Sequence, residues 1–471
     1  MRARLLLIAA ALAAFGASLG SGFHFDDYAI FSDPFLTSAS GWTRLWSLTR
    51  TRALTSLTFW LNYQIGGQDA LGYHALNLLL HLGAVLLAFE CLRRLMPERA
   101  ALLAAAIFAV HPLQAESVDY VWGRGIVLAA LWCLLSLWAW LEGRQWVAVL
   151  CFAAALLAKE ECAAFPLALL VLDRKRLAPI AAMLGLSAAA GAHVLYALNV
   201  TPGALAGAQA GISPARYLLA EGGVILRYLR MLIVPYGFSI DPDIRVPALW
   251  AGLLAWTAIV CLAYYAWRRN WWWVLAGLIL LLPSSSLFPA NDLAADRRMY
   301  LPLLAFAAAA AIGLTRLKLP AAARTAAVVA LVFVSIWRTA VWANDESLWR
   351  EAVRRAPEKI RPRIQLARNL RAAQALEVLA GARRLSPQDP RVATEIGKVL
   401  LTQGQPASAL EEFGYALAAD PHDARNFNNR GVALEMLGQT AAAQADFEHA
   451  LRLDPALNEA RDNLQKITAG R

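Results

Sequence analysis

Charged residues are scarce in this sequence, and their scarcity is uneven. Asp, Glu, Lys and Arg make up 17% of the 471 residues, whereas 59% are hydrophobic and the mean hydropathy is +0.46. A chain this apolar is neither disordered nor an ordinary soluble protein, so membrane insertion is the first expectation. Of the first 345 residues 44 are charged, against 34 of the last 126, and sixteen of the 17 Trp precede residue 346. The composition therefore predicts a transmembrane domain over residues 1–345 and a soluble domain over residues 346–471.

Cysteine is also rare, with five residues and no CxxC pair or His/Cys cluster. This spacing predicts neither a zinc site nor a disulfide framework. The five lie in or beside apolar runs and are interpreted as packing residues: Cys91, Cys133, Cys151, Cys162 and Cys261.

The soluble domain lacks an excess of positive charge. It holds 18 bases and 16 acids, so most of the net charge of +10 belongs to the membrane domain, where topology explains it. A nucleic-acid partner, which would need bases clustered on a soluble face, is not predicted.

Eleven apolar runs predict eleven transmembrane helices. The first run, Leu5 to Leu19, could be a signal peptide, but cleavage would leave the acidic segment behind it as a frayed terminus. We therefore interpret it as an uncleaved first span. The other runs lie near residues 72–92, 100–114, 126–141, 145–158, 162–172, 178–198, 248–267, 271–288, 299–314 and 325–342.

Basic clusters predict which loops lie inside. With eleven spans, Arg2, Arg4 and the later basic clusters all fall inside, and fourteen of the 18 acids before residue 346 fall outside. Residues 217–234 are long enough to cross, but they contain charges that are costly within a bilayer, at Glu221, Arg227 and Arg230. That segment is therefore predicted to lie in the outer interface, with the C-terminal domain on the outer side.

The soluble domain repeats with a period of 34 residues. Gly397 matches Gly431, Phe413 matches Phe447, and Asp420-Pro421 matches Asp454-Pro455. This pattern is the tetratricopeptide signature, and it predicts an α-solenoid of about three units, including a degenerate one near 356–389, with a capping helix at 458–471. Its concave surface would bind a peptide or protein, or the array would serve as a spacer or dimer contact. The polar candidates for a groove are Arg425, Asn426, Asn428, Asn429 and Arg430.

The first outer loop opens with FHFDDYAIFSDP, which places two adjacent carboxylates directly after a span. Partial desolvation at the membrane surface would raise the basicity of Asp26 and Asp27, which suits proton abstraction. The alternative is a solvated loop start with a helix-capping aspartate.

Later outer loops add carboxylates and bases to the same face. Arg and Lys at the bilayer surface suit a lipid phosphate, and ion pairing within the protein is the alternative. The candidate phosphate-binding bases are Arg124, Lys159, Arg297 and Arg298. The candidate supporting residues are His111, Glu116, Asp119, Glu160 and Asp296, with Glu161 and Asp292 nearby.

Six segments in this order resemble one known family: FDDYAIF, RALTSLTFWLNY, YHALNLLLH, FAVHPLQAESVDYVWGRG, AKEECAAFPLALLVLD and ADRRMYLPL. They look like the transmembrane and tetratricopeptide repeat-containing proteins, which are protein O-mannosyltransferase-like members of the C-type integral-membrane glycosyltransferase superfamily. The resemblance implies transfer of a sugar, expected to be mannose, from a polyprenyl phosphate to a Ser or Thr hydroxyl of a protein. It also implies that Asp26 is the catalytic base and Asp27 its partner.

The family pattern is not matched everywhere. Its Gly-Arg signature is present as Gly123-Arg124, but Ile126 stands where an Asp is common in the family. The repeat array is also short at about three units. The resemblance implies no required cofactor or metal, although Asp26 and Asp27 could hold a divalent ion.

These observations predict an inverting glycosyltransferase in a bacterial inner membrane, with its repeats on the periplasmic side. The rival hypothesis is a non-catalytic membrane anchor that presents the repeats as a scaffold for envelope proteins. A transporter would need charged or broken helices at mid-bilayer, whereas the charges here lie mainly at span ends.

Overall fold

The computed structural model describes residues 1–200, 212–285, 289, 292–317 and 319–469. Within these ranges all regular secondary structure is helical, which confirms the predicted all-α class. The chain divides into two compact units at the position where its composition changes. They are Met1–Asp345, here called the membrane unit, and Glu346–Arg471, here called the repeat unit.

The membrane unit is built from helices of very different lengths. Its described α-helices are α1 (Arg2–Phe15), α2 (Ala29–Ser32), α3 (Pro34–Thr37), α4 (Ala53–Gly66), α5 (Ala70–Leu95), α6 (Glu98–Val110), α7 (Ala115–Val118), α8 (Arg124–Leu141), α9 (Gln145–Ala158), α10 (Phe165–Leu172), α11 (Leu177–Val200), α12 (Pro214–Ile233), α13 (Leu249–Arg268), α14 (Trp272–Leu281), α15 (Tyr300–Arg316) and α16 (Ala321–Val341). Short 3₁₀ turns connect several of them.

Seven segments in the described ranges are long and apolar enough to cross a membrane, which confirms a multi-pass membrane protein. They contain α1, α5, α8, α11, α13, α15 and α16. The segment from Glu98 to Val118 would be an eighth, although it bends by 49° at Pro112. The predicted spans near 145–158, 162–172 and 271–288 correspond to the shorter helices α9, α10 and α14, and residues 286–288 lie outside the described part. The count of eleven therefore stays a prediction.

Helix α12 carries the charges that argued against a crossing at residues 217–234. Glu221 and Arg227 face the interior of the unit, where they pair with Arg298 and Asp296. The opposite surface exposes apolar side chains such as Ile233. Glu221 and Arg227 are therefore compensated within the protein and no longer argue against a crossing, whereas Arg230 is exposed and bonds to the carbonyl oxygen of Tyr236. The interfacial placement of α12 stays a prediction.

The hairpin of α8 and α9 brings two predicted site segments together. Small residues such as Ala129 and Ala155 are buried between these helices and allow a close approach. A side chain at Gly125 would lie 3.4 Å from the carbonyl oxygen of Ala158, so the start of α8 adjoins the end of α9. Arg124 and Lys159 therefore emerge at the same end of this hairpin.

The cysteines agree only in part with a packing role. All five are free thiols, and Cys91, Cys133 and Cys162 are buried. Cys151 is half-buried and Cys261 is exposed, so Cys261 fills no core.

The repeat unit consists of three helix pairs and a final helix, which confirms the predicted solenoid. The pairs are α18 (Ile360–Ala367) with α19 (Ala372–Leu385), α20 (Pro390–Thr402) with α21 (Pro406–Ala419), and α22 (Ala424–Met436) with α23 (Thr440–Leu453); α17 (Asp345–Arg355) precedes them and α24 (Asn458–Ala469) follows. A side-chain carbon at Gly397 or Gly431 would lie 2.6 Å from the ring of Phe413 or Phe447, respectively. The 34-residue period therefore records the points where paired helices touch.

Candidate active site

Asp27 is the buried member of the aspartate pair. It lies within a short 3₁₀ turn, Phe25–Tyr28, and its carboxylate accepts hydrogen bonds from the backbone N–H groups of His24 at 2.9 Å and Trp122 at 2.7 Å. Burial raises the pKa of Asp27 to about 7, although the two N–H groups favour the ionised form. Asp27 thus ties the first outer loop to the second.

Asp26 is the more accessible member of the pair. The residue is half-buried, and its backbone N–H donates to the hydroxyl oxygen of Tyr120 at 3.2 Å. Phe25, just before it, has φ +37°, a left-handed conformation that is uncommon for a non-glycine residue. Such strain is frequently found at functional sites, and here it sets the direction of the turn that presents Asp26.

His24 fixes the same turn from its other side. Its Nδ1 lies 2.8 Å from Oδ1 of Asp345, and its Nε2 lies 2.8 Å from the carbonyl oxygen of Trp342. Both ring nitrogens therefore lie within hydrogen-bond distance of an oxygen atom. The loop that holds the aspartates is therefore tied to the end of α16.

Arg124 is fully buried at the start of α8. Its guanidinium donates to Oδ1 of Asn77 at 2.7 Å and to the carbonyl oxygen of Tyr73 at 3.0 Å, and lies 4.6 Å from the ring centre of Phe59. These contacts join α8 to α4 and α5 through hydrogen bonds and a cation–π interaction. In this position Arg124 stabilises the packing of α8 against α4 and α5.

Arg297 and Arg298, in the 3₁₀ turn Asp296–Met299, are already paired with carboxylates. The guanidinium of Arg297 pairs with Glu116, and that of Arg298 lies 3.3 Å from Glu221. Asp296 accepts from Arg227 at 2.7 Å. These ion pairs hold α7, α12 and the start of α15 together. Arg297 and Arg298 thus have the ion-pairing role that the sequence analysis gave as the alternative to phosphate binding.

The segment that follows α9 contributes a second set of ion pairs. Glu160 accepts two hydrogen bonds from Arg52, at 2.5 and 3.0 Å, and Lys159 lies 3.3 Å from Glu161. Burial alone would raise the pKa of Glu160, but the Arg52 guanidinium outweighs it and holds that pKa at about 2. Burial lowers the pKa of Lys159 to about 8, so its charge is poorly solvated.

A polar cavity of about 520 Å³ lies where these loops meet, and its walls carry three bases, Arg50, Arg52 and Lys159. Arg50 pairs with Asp33 through two hydrogen bonds at 2.8 and 3.0 Å. Trp122 also lines the cavity, and its backbone N–H holds Asp27. The other lining residues are Asp33, Phe35, Leu36, Thr49, Thr51, Thr55, Ser56, Phe59 and Gly125.

Two further spaces adjoin the polar cavity. An apolar groove of about 390 Å³ between α9 and α11 shares residues 50–52 with it. A narrow pocket of about 30 Å³ shares Lys159 and reaches Glu161 and Arg298. The cavity therefore shares lining residues with an apolar groove and with a pocket that reaches Glu161 and Arg298.

None of the five predicted supporting residues lines this cavity, and two of them pack between helices. His111 accepts from the backbone N–H of Leu113 and borders a separate apolar cavity between α6, α12, α15 and α16. Asp119 is buried and accepts from the hydroxyl of Thr339 on α16 at 2.9 Å. Both contribute to packing between helices. Across the described ranges, no group of three or more His, Cys, Asp or Glu residues is arranged to hold a metal ion.

The five polar residues predicted for the repeat groove divide into two sets. Arg425 and Asn429 line a groove of about 390 Å³. The others bond within the unit: Asn426 to Thr394 and Asp423, Asn428 to Asn463, and Arg430 to Asp446 through two hydrogen bonds of 2.7 Å.

The sequence interpretation missed Arg50, Arg52, Asn77, Arg227 and His24. A signal for the first two was present, because the segment SLTRTRALTSL puts two bases close together in a loop predicted to lie outside. Asn77 and Arg227 carried no such signal, since their partners are distant in sequence.

Comparisons with known proteins identify chains that are similar in sequence. The chain is 30% identical over 271 residues to protein O-mannosyl-transferase Tmtc2 of Drosophila melanogaster, a match of 50% of this chain and 26% of that protein. It is 36% identical over 163 residues to human protein O-mannosyl-transferase TMTC4, with 28% of this chain and 22% of that protein covered. The chain thus spans about a quarter or less of the curated relatives it matches. No family model matches it.

These relatives confirm the resemblance found in the sequence motifs: the chain is similar to the transmembrane and tetratricopeptide repeat-containing O-mannosyltransferases. Among solved structures, a thermophilic tetratricopeptide protein of Thermus thermophilus covers 35% of this chain and 90% of its own, at 18% identity and a TM-score of 0.25. The first tetratricopeptide domain of human RPAP3 covers 24% and 92%, at 20% identity and a TM-score of 0.23. The assignment of repeats rests on the periodicity and helix pairing of the chain itself.

Proposed function

We propose that this chain is an inverting glycosyltransferase that moves mannose from a polyprenyl-phosphate carrier to a Ser or Thr hydroxyl of a protein. In this proposal the reaction takes place on the outer face of a bacterial inner membrane, and the repeats lie on the periplasmic side. The relatives' names support transfer to a protein, and the shape of the site supports the lipid-linked donor.

The observation that carries the proposal is the junction of a basic cavity with an apolar groove. A polyprenyl-phosphate sugar has a long apolar tail and a charged head, so it needs both environments side by side. Arg50, Thr51 and Arg52 line both spaces, which is where the phosphate would lie with the tail between α9 and α11. Arg and Lys recognise phosphate oxygens through charge-assisted hydrogen bonds.

The bases of this cavity differ in how strongly they are paired with carboxylates of the protein. Arg52 is held by two hydrogen bonds to Glu160, whereas Lys159 makes a single contact of 3.3 Å with Glu161. A poorly solvated ammonium gains more from a new anionic partner than a well-hydrated one does. We therefore assign Lys159 to the donor phosphate, with Arg50 and Arg52 completing the positive wall.

In the reaction we propose, the carboxylate of Asp26 takes the proton of the acceptor hydroxyl. The hydroxyl oxygen forms a bond to the anomeric carbon from the face opposite the phosphate, and the bond between that carbon and the phosphate oxygen breaks. The bonding electrons stay with the polyprenyl phosphate, which is a good leaving group and needs no proton from an acid. The bases of the cavity stabilise the charge that develops on it.

Asp27 has a positioning role in this mechanism. Its two backbone hydrogen bonds hold the turn that presents Asp26 against the segment that carries Trp122. Because Trp122 also lines the cavity, Asp27 couples the position of the base to the donor pocket.

The test is a transfer assay on the full chain in lipid nanodiscs. Labelled polyprenyl-phosphate mannose is supplied with a Ser/Thr-containing peptide, and the product is examined for the site and the anomeric configuration of the label. We expect label on a hydroxyl oxygen with inverted configuration. Retained configuration would exclude the single displacement, and a chain that binds no lipid-linked sugar and transfers none would favour the scaffold hypothesis.

A further inference from the structure

The repeat unit contains a groove whose charge is opposite to that of an acidic peptide. The groove measures about 390 Å³ and is lined mainly by the first helices of the three pairs, α18, α20 and α22. Five of its lining residues are bases, against two carboxylates: Arg361, Arg368, Arg391, Lys398 and Arg425 face Glu395 and Asp423. The unit as a whole has 18 bases and 16 acids, so positive charge is concentrated here.

The two carboxylates are already engaged. Glu395 accepts from Arg368 at 2.5 Å and from Lys398 at 3.2 Å. Asp423 caps α22, where it accepts from the backbone N–H groups of Arg425 and Asn426. One carboxylate is therefore shared between two bases, and the other is held by a helix end, which leaves the groove with an excess of positive charge.

Two side chains have donors that the repeat unit does not use. The guanidinium of Arg425 is exposed and pairs with no carboxylate in the described part of the chain. The amide nitrogen of Asn429 is buried and has no hydrogen-bond partner among the described residues. A buried donor without a partner is costly, so an acceptor in the groove would relieve that cost.

The bases follow the repeat itself. Arg391 and Arg425 stand 34 residues apart and occupy the first turns of α20 and α22, where the helix dipole also favours an anion. Equivalent bases therefore recur from one unit to the next along the groove. An extended ligand with several carboxylates would meet them in succession.

We propose that this groove binds an extended peptide segment rich in Asp and Glu. The carboxylates would pair with Lys398 and Arg425, and one acceptor oxygen would take the free N–H of Asn429. Arg391 is already held by Asp389 through hydrogen bonds at 2.6 and 3.0 Å and would contribute its charge at longer range. A nucleic acid is the poorer fit, because no aromatic side chain lines the groove to stack on bases. This inference concerns binding alone and does not depend on the glycosyl-transfer reaction.

The test is fluorescence anisotropy of labelled peptides with the full chain in detergent, without any sugar donor. One peptide alternates Glu and Ser, and a matched peptide replaces each Glu by Gln. We expect the acidic peptide to bind and the Gln peptide not to, and binding to weaken strongly from about 50 mM to about 500 mM salt. Equal binding of both peptides, or preferential displacement by a single-stranded oligonucleotide, would overturn the proposal.

Variants locate the binding in the groove. Arg425→Gln combined with Lys398→Gln should weaken binding of the acidic peptide by roughly tenfold, and Asn429→Ala should weaken it by less. Arg452→Gln is the control, because Arg452 lies exposed on α23 outside the groove and its loss changes the net charge by the same amount per residue. Equal weakening by Arg452→Gln, or none by the double variant, would contradict the assignment. The binding assay contains no sugar donor, so its result does not depend on whether these variants transfer sugar. The peptide-binding proposal and the glycosyltransferase proposal can therefore fail independently.

Discussion

Asp26 and Asp27 are neighbours in sequence but differ in exposure and in partners. The carboxylate of Asp27 uses both oxygens to accept backbone N–H groups, from His24 and Trp122, in a fully buried place. An Asn side chain offers one acceptor oxygen and one NH₂ group, so one of these two backbone N–H groups would face the NH₂ group, which is itself a donor. The two residues should therefore respond differently to the same substitution.

Asp27→Asn should destabilise the membrane unit by about 1–3 kcal/mol, because a buried N–H loses its acceptor. The measurement is the unfolding temperature of the detergent-solubilised chain. Asp243→Asn is the control, since Asp243 pairs with the exposed Arg245 at 3.1 Å. A variant as stable as the control would show that the turn does not depend on these hydrogen bonds.

The raised pKa of Asp27 predicts a pH dependence with a definite sign. Its pKa is about 7 in the folded state and 3.8 as the ordinary value, so the folded chain binds the proton more tightly. The associated stability is present in full below about pH 4 and is lost as the pH rises towards 7, on the order of 2 kcal/mol between pH 5 and pH 7. Comparing unfolding temperatures of wild type and Asp27→Asn across this range isolates the contribution. A difference in unfolding temperature that does not change with pH would show that protonation of Asp27 makes no such contribution.

Lys159 is the sharpest probe of donor binding. Arg297 and Arg298 are unsuitable, because replacing them by Gln would strand the buried carboxylates of Glu116 and Glu221 and disturb the fold. Lys159→Gln leaves only Glu161, which is 31% exposed. We expect it to weaken binding of a polyprenyl-phosphate sugar by roughly tenfold. Lys175→Gln, at an exposed site between α10 and α11, should have no effect, and equal affinities for both variants would remove Lys159 from the phosphate site.

At the scale of elements, the repeat helices make contact through glycines that can be tested individually. A methyl group at Gly431 would lie 2.6 Å from the buried ring of Phe447, whereas one at Gly414 in α21 would meet nothing within 4 Å. Gly431→Ala should therefore cost about 1–3 kcal/mol through overpacking, and Gly414→Ala should be neutral or stabilising by about 0.5–1 kcal/mol. Hydrogen exchange of the α22 and α23 amides in the full chain measures both. Equal protection in the two variants would mean that Phe447 moves aside without cost.

The repeats and most helices could be predicted because their signals are local. Gly397 and Gly431 show the 34-residue period, and the apolar runs indicate the long helices. The ion pairs could not be predicted, because Arg297 meets Glu116 across 181 residues and Arg227 meets Asp296 across 69. A sequence shows that bases and acids share a face, but only the packing of α7, α12 and α15 decides which of them pair. The cavity formed by Arg52 and Lys159 could not be predicted for the same reason, since Arg52 lies 108 residues from its partner Glu160.

At the scale of the whole molecule, sidedness is the prediction with the widest consequence. A reporter fused after residue 345 should be active only on the outer side of the membrane, because the predicted topology puts the basic loops inside and most acids outside. A fusion after Met96, beside Arg93 and Arg94, should report the inside. The same side for both fusions would contradict the orientation, and an inner position for residue 345 would move the proposed reaction to the other face.

The role of Asp26 is the central claim, and its most direct test is the initial rate of mannose transfer at saturating donor. Asn keeps the size of the side chain but cannot accept a proton at neutral pH. Because a positioned general base contributes on the order of 10²- to 10⁴-fold in rate, Asp26→Asn should lose at least about 100-fold in transfer while donor affinity stays near wild type. If Asp26→Asn retains more than about a tenth of the wild-type rate, Asp26 is not the base and the mechanism is contradicted.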